Sequence, residues 1–270
     1  HQFHNFLKTT TRNTMHIHCT QTLTQRTLRS INLIVRNLKM SKLKNLLRQT
    51  IQNASRRSIG FAHETNTTPN PQMLIMAKAN NKTEAQKLLK AGCSVILTEK
   101  INTFDTEKNP VGIQVEAPTT EVIADAIAKN IDFVIFDYEQ TLANVFGESE
   151  IGKILDLPTA NEDQLTTLKY IQNIDAVFVG TIPQPFLVKD QLHFREIAAN
   201  LSAPLMALIE HVPSTNELLA FRDSGILVIS VPNDTNLVTE ISKGILEMPL
   251  PQLNAEHNAF SPMIPATGGS

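Results

Sequence analysis

Residues 111–140, VGIQVEAPTTEVIADAIAKNIDFVIFDYEQ, decide the fold. The stretch opens with a short apolar run, breaks at Ala117-Pro118, continues with apolar residues at helical spacing, and ends in a second apolar run, DFVIFD. Short runs that are apolar on both faces, with an amphipathic helix between them, read as parallel strands of a sheet covered by helices. Alternation along the first run puts Gly112, Gln114 and Glu116 on one face and Ile113 and Val115 on the other. The helix-facing side must be apolar, so the polar set is expected to line the interior of the sheet.

The same unit recurs on both sides of this stretch. Apolar runs appear as LIMAKA (74–79), SVILTE (94–99), VGIQVE (111–116), DFVIFD (132–137), KILDLP (153–158), DAVFVG (175–180), PLMALIE (204–210) and ILVISV (226–231). Most begin about 21 residues after the one before, enough for a strand, a helix of about ten residues and two short loops. A slower repeat overlies them: AGCSVILT, KNIDFVIF, QNIDAVFV and DSGILVIS each pass from a helix through a small or polar turn into an even-numbered strand. Four copies of βαβα close most naturally into a (β/α)8 TIM barrel. The alternative, an open doubly wound sheet, lacks its main cue, since LIMAKANN stands where a G-x-G-x-x-G would follow the first strand. Two connections, EKINTFDTEKNP (99–110) and residues 142–152, are too short or too polar for a full helix, so the outer helix ring is expected to be incomplete.

A chain of 270 residues accommodates one such barrel with extensions. Met40 opens MSKLKNLLRQTIQ, an amphipathic helix, and residues 40–72 form a lead-in helix and connector. The barrel is expected over 73–250, and the Pro- and Asn-containing segment 251–270 as a disordered tail. Residues 1–39 form a basic, disordered extension. From residue 1 to 62 there is no Asp or Glu while 11 of the 24 Lys and Arg lie there, leaving 13 basic against 26 acidic side chains in the remainder. The extension reads either as an organellar transit peptide or as upstream sequence ahead of a start at Met40, with a nucleic-acid-binding arm a weaker alternative. The acidic body argues against nucleic-acid binding there, because phosphate neutralisation needs clustered Lys and Arg. No apolar run approaches the roughly 18 residues of a membrane span. Cys19 and Cys93 have no metal-ligand spacing, and a reducing, cytoplasmic setting is the default, organellar if the extension is a transit peptide.

Barrel enzymes carry their reactive groups at the C-terminal ends of strands. Those positions hold Lys78, Glu99, Glu116, Asp137, Asp156, Gly180, Glu210 with His211, and Asn233 with Asp234. Glu116, Asp137 and Asp156 end three successive strands; converging carboxylates repel unless a cation or a shared proton sits between them, so Mg2+ or Mn2+ is the expected cofactor. The competing reading makes these acids N-caps of the following helices. Lys78 is expected to attract an anionic substrate or, if desolvated, to form a Schiff base, or else to pair with Glu99 or Glu116, and His211 is the candidate general base. The loops after the last two strands, EHVPSTNEL and VPNDTNLV, are not Gly-rich, which disfavours a phosphorylated substrate or FMN.

Residues 116–147, EAPTTEVIADAIAKNIDFVIFDYEQTLANVFG, resemble the metal-binding half of the class II pyruvate (hydroxy-keto-acid) aldolase family, in which a strand-end Q-V/I-E leads through a helix to an I-D-x-V-F strand and an acid-containing loop. The resemblance implies an aldolase-type barrel with metal ligands at Glu116 and at Asp137 or Glu139. It departs from the family pattern in having FDYEQTL for the G-P-x-D-L loop and in placing Arg195 and Arg222 in predicted helices, away from the strand ends. The expected function is a metal-dependent carbon–carbon lyase acting on a small carboxylate or keto acid, compatible with a homo-oligomer. The alternative is a non-catalytic barrel that serves as a binding or assembly module.

Overall fold

In the computed structural model, eight parallel strands close into a barrel in chain order, with β8 pairing back onto β1. The structure describes residues 41–55, 71–101, 106, 108–146, 151–171 and 173–249, with all their side chains but those of 53–55 and 162. The basic extension 1–39, residues 56–70 of the connector and the tail 251–270 lie outside the described residues. The strands are β1 (Leu74–Lys78), β2 (Val95–Thr98), β3 (Val111–Gln114), β4 (Phe133–Asp137), β5 (Gly152–Asp156), β6 (Ala176–Thr181), β7 (Leu205–Leu208) and β8 (Ile226–Val231). The helices are α1 (Lys42–Ser55), α2 (Lys82–Lys90), α3 (Thr120–Ala128), α4 (Glu162–Leu168), α5 (Val188–Leu201), α6 (Thr215–Asp223) and α7 (Thr235–Glu247). All eight strands fall on the expected apolar runs.

The turn before each even strand has one physical cause. Gly92, Asn130, Asn173 and Gly225 all have positive φ, between 60° and 113°. Glycine enters the left-handed region freely and asparagine more easily than other side chains, so these residues end the preceding segment and reverse the chain into the sheet. The fourfold repeat in the sequence is therefore a repeat of one turn geometry.

Among the described residues no helix follows β2 or β4. On the second of these sides the loop itself supplies the cover. The Phe146 ring packs 4.6 Å from that of Phe136 on the outer face of β4, Val145 is buried, and the Lys153 ammonium lies 5.4 Å from the Phe146 centroid. Two apolar side chains thus occupy ground that a helix holds elsewhere.

Inside the barrel, Leu74, Met76, Val95, Leu97, Phe133, Ile135, Ile154, Ala176, Met206 and Val228 form a closed apolar cluster. Leu43 and Leu47 of α1 belong to the same cluster, so this helix stoppers the end at which the strands begin. Its first turn is held from the barrel. Ser41 Oγ accepts the Lys44 N–H (3.1 Å), while Asp132 Oδ1 and Oδ2 accept the Lys42 and Leu43 N–H groups (2.7 and 2.8 Å). Burial pushes the Asp132 carboxyl up, and the nearby Asp175 adds to this, while the two N–H groups and the Lys42 charge pull it down. A helix N-terminus is a natural partner for such a carboxylate. Asp175 does parallel work two strands on: its Oδ2 accepts the Lys153 N–H (3.1 Å) and its Oδ1 lies 2.8 Å from the Lys44 ammonium. Both acids come from the N-I-D of the repeat, at the closed end of the barrel.

Candidate functional site

With one end stoppered, the end where the strands finish is the open mouth. Interior side chains of such a barrel form layers, each drawn from alternate strands, because the strands tilt and the register shifts by about one residue per strand. Lys78 is in register with Leu97, then Gly112, Phe133 and Gly152. Advancing two residues for every two strands places Lys78, Gln114 and Asp156 in one layer, the uppermost from odd strands. A direct contact bears this out, since Gln114 Nε2 donates to Asp156 Oδ2 at 3.0 Å across β4.

Asp156 is an acid of this mouth whose pKa is raised. Partial burial raises its pKa first of all; the Gln114 hydrogen bond opposes the rise, and the charges of Asp137 and Glu116 add to it. Its Oδ1 has no hydrogen-bond partner among the described residues. Such a carboxyl, proton-retentive and with one free oxygen at a solvent-accessible mouth, is suited to acid–base work.

The other two acids of the expected metal site are near enough to influence Asp156 but do not close around a common point. Among the described residues no group of three His, Cys, Asp or Glu side chains is placed to hold a metal ion. Asp137 turns into its own loop, where Oδ1 accepts the Glu139 N–H (2.8 Å) and Oδ2 the Gln140 side-chain amide (3.1 Å). That loop is fastened to α4: Tyr138 Oη donates to Glu139 Oε1 (2.9 Å) and accepts from Gln164 (3.1 Å), which belongs to the Asn161 capping box. Glu116 is exposed beyond the end of β3. A divalent ion would have to displace hydrogen bonds already made, so this arrangement does not fit the group.

Among the described residues these acids do not cap a following helix either. The side chains that cap the helices after strands are Asn81, Thr119, Asn161, Ser214 and Asp234. The first helical turns are thus satisfied one loop further on, which leaves Glu116 and Asp156 to the mouth and Asp137 to its own loop.

Lys78 is exposed and, among the described residues, forms no hydrogen bond or ion pair, so the expected pairing with Glu99 or Glu116 does not occur. Leu74 and Met76 of the same strand face the interior cluster, and alternation sends Lys78 to the axial side of the mouth. His211 stands elsewhere on the rim. Its Nε2 lies 2.9 Å from Gln184 Nε2 and 3.8 Å from Glu217 Oε1, and Glu217 is held by the Ser214 N–H and hydroxyl at the start of α6. None of these contacts joins it to Lys78 or Asp156. Arg195 and Arg222 sit in α5 and α6, as the sequence implied. Cys93 is buried with its thiol pushed up to about 12 by desolvation, which leaves it without nucleophilic character.

Gln114 bears no mark of this role in the sequence. Alternation puts it on the interior face, but a neutral side chain inside an apolar run carries no signal of chemistry until the register brings an acid to it.

Comparison with solved structures agrees on the architecture. Tryptophan synthase from M. tuberculosis in a ligand-free form superposes with a TM-score of 0.54 at 9% identity, over 76% of this chain and 99% of that one. The same enzyme in an open form with BRD0059 bound gives 0.54 at 9% identity, again over 76% and 99%. A protein from Aquifex aeolicus VF5 gives 0.51 at 9%, over 76% and 99%. The fold is that of a TIM barrel. At this identity the likeness is one of fold alone. No family model matches the chain, and no curated protein matches it in sequence. Among the described residues no helix is long and apolar enough to cross a membrane.

Proposed function

We propose that this TIM barrel is an aldolase-type lyase acting at its open mouth on a small keto or hydroxy-keto acid. The observation that supports it is the pairing of roles within one layer: Lys78, a cation with no partner among the described residues, and Asp156, a carboxyl whose pKa burial raises above the ordinary value. The ammonium binds the substrate carboxylate as a point charge. Asp156 as carboxylate takes the proton of a hydroxyl β to the keto group. The adjacent carbon–carbon bond then breaks, its electron pair passing into the enolate of the keto acid while the other fragment leaves as an aldehyde. Protonated Asp156 returns its proton to the enolate carbon, which completes the cycle with no oxidant or reductant.

A panel of 4-hydroxy-2-keto acids assayed for release of keto acid tests this reading. Lys78→Met is expected to raise KM about tenfold or more while lowering kcat less, because the charge binds ground state and transition state alike. A panel on which the wild-type chain shows neither turnover nor saturable binding would favour the non-catalytic module instead.

The second reading places Mg2+ or Mn2+ among Glu116, Asp137 and Asp156, and the observation in its favour is the charge both neighbours impose on Asp156. Against it stand the hydrogen bonds that occupy Asp137. Calorimetric titration of either ion into the protein is expected to give no saturable heat. A saturable heat that disappears in Glu116→Ala would replace the metal-free reading.

A further inference from the structure

Asp156 has two carboxylate oxygens in unlike surroundings. Oδ2 accepts the Gln114 amide at 3.0 Å, and Oδ1 accepts nothing among the described residues. A carboxylate can only accept, so the amide must present its NH2 group rather than its oxygen to Oδ2 while the acid is ionised. An N–H donor pointed at one oxygen makes that oxygen the poorer place for a proton. The contact reaches from β3 to β5 over Ile135 of β4, which is fully buried beneath it, so the backbone at both ends is anchored in the barrel wall.

We propose that Gln114 is a positioning residue for Asp156: its amide holds Oδ2 and leaves Oδ1 as the oxygen through which the carboxyl exchanges its proton with a bound molecule. The inference rests on the reading of Asp156 as the proton-carrying group of the mouth. The charged groups around it are Glu116 at the end of β3, Asp137 from β4 and, across the mouth in the same layer, Lys78 from β1; the register neighbour from β6 is the uncharged Phe178. Gln114 is the one neutral hydrogen-bond donor to the carboxyl among the described residues, so it can orient the group without adding charge.

The experiment is a pH titration of the Asp156 carboxyl carbon by NMR in the full chain, with Asp156→Asn to assign the signal and Asp125, which pairs with Lys129 on α3, as an internal control. Gln114→Met keeps the length of the side chain and removes the donor. It is expected to move the Asp156 midpoint upward by roughly two- to tenfold in proton affinity, the range of an ordinary hydrogen bond, and to leave Asp125 in place. Gln114→Glu sets a second carboxyl against the first, and the pair is expected to titrate in two steps with the upper one above the wild-type midpoint. Should Gln114→Met fail to fold, the Glu variant decides alone. An Asp156 midpoint unmoved in folded variants would overturn the proposal. If the midpoint moves as expected but Asp156→Asn retains full turnover, the hydrogen bond stands while Asp156 loses its proton-carrying role and the proposal is overturned. Absence of turnover in the wild-type chain instead fails the lyase reading and leaves the hydrogen bond in place, so the two failures are separable.

Discussion

Phe133→Ala is expected to destabilise the barrel by roughly 3–5 kcal/mol, the range for truncating a buried phenylalanine, and to lower Tm by roughly 10 °C. Phe133 is fully buried in the interior cluster, and its register partners on both sides, Gly112 and Gly152, are glycines. A Cβ on Gly112 would overlap the Phe133 ring, and one on Gly152 would stand 2.8 Å from Phe133 Cβ. One large ring therefore fills the row that its glycine neighbours on two flanking strands leave open. The pair makes a sharp test. Gly112→Ala alone overpacks the row and is expected to cost about 1–3 kcal/mol, whereas in the Phe133→Ala background the added methyl is expected to recover stability. Denaturant unfolding of the four proteins measures the coupling, and costs that simply add would show that the ring does not occupy the space over Gly112.

Asp156→Asn is expected to lower turnover by roughly 10²- to 10⁴-fold, the usual contribution of a positioned general acid–base, while raising thermal stability at neutral pH. The two effects share a cause. The folded protein holds the Asp156 proton more tightly than the unfolded chain does, because ionisation there faces desolvation and the charges of Asp137 and Glu116. Wild-type stability therefore falls as pH rises from the ordinary carboxyl range up through the raised folded pKa, and the cost is complete above it. The Asn variant carries no such cost, so its advantage in Tm should appear near neutrality and vanish below the unfolded carboxyl pKa, where Asp156 is protonated in both states. A variant that is less stable than wild type at neutral pH, or as active, would remove Asp156 from the role assigned to it.

Much of the barrel was legible because its signals are local. Each strand is an apolar run, and the turn before each even strand carries Gly or Asn where the backbone needs positive φ. The lack of a helix after β2 and β4 among the described residues was legible too, since residues 99–110 and 142–152 lack the spacing of a helix. The roles of Asp132 and Asp175 were not. They look like repeat punctuation in N-I-D, and only the docking of α1 under the barrel reveals that one receives its N-terminal N–H groups and the other its Lys44.

The candidate site divides along the same line. Lys78, Glu116, Asp137 and Asp156 could be picked out as polar residues ending apolar runs, and that much the sequence alone determined, because strand alternation and the barrel rule need no partner. Which of them meet was decided only by the closed sheet. The stagger of its strands sets Gln114 against Asp156 across an intervening strand, while the β4 loop draws Asp137 back onto its own amides and away from a shared centre. A sequence carries the period of a strand but not its register against strands one or two places away. Register depends on closing all eight strands at once around a core in which Phe133 and its flanking glycines must fit.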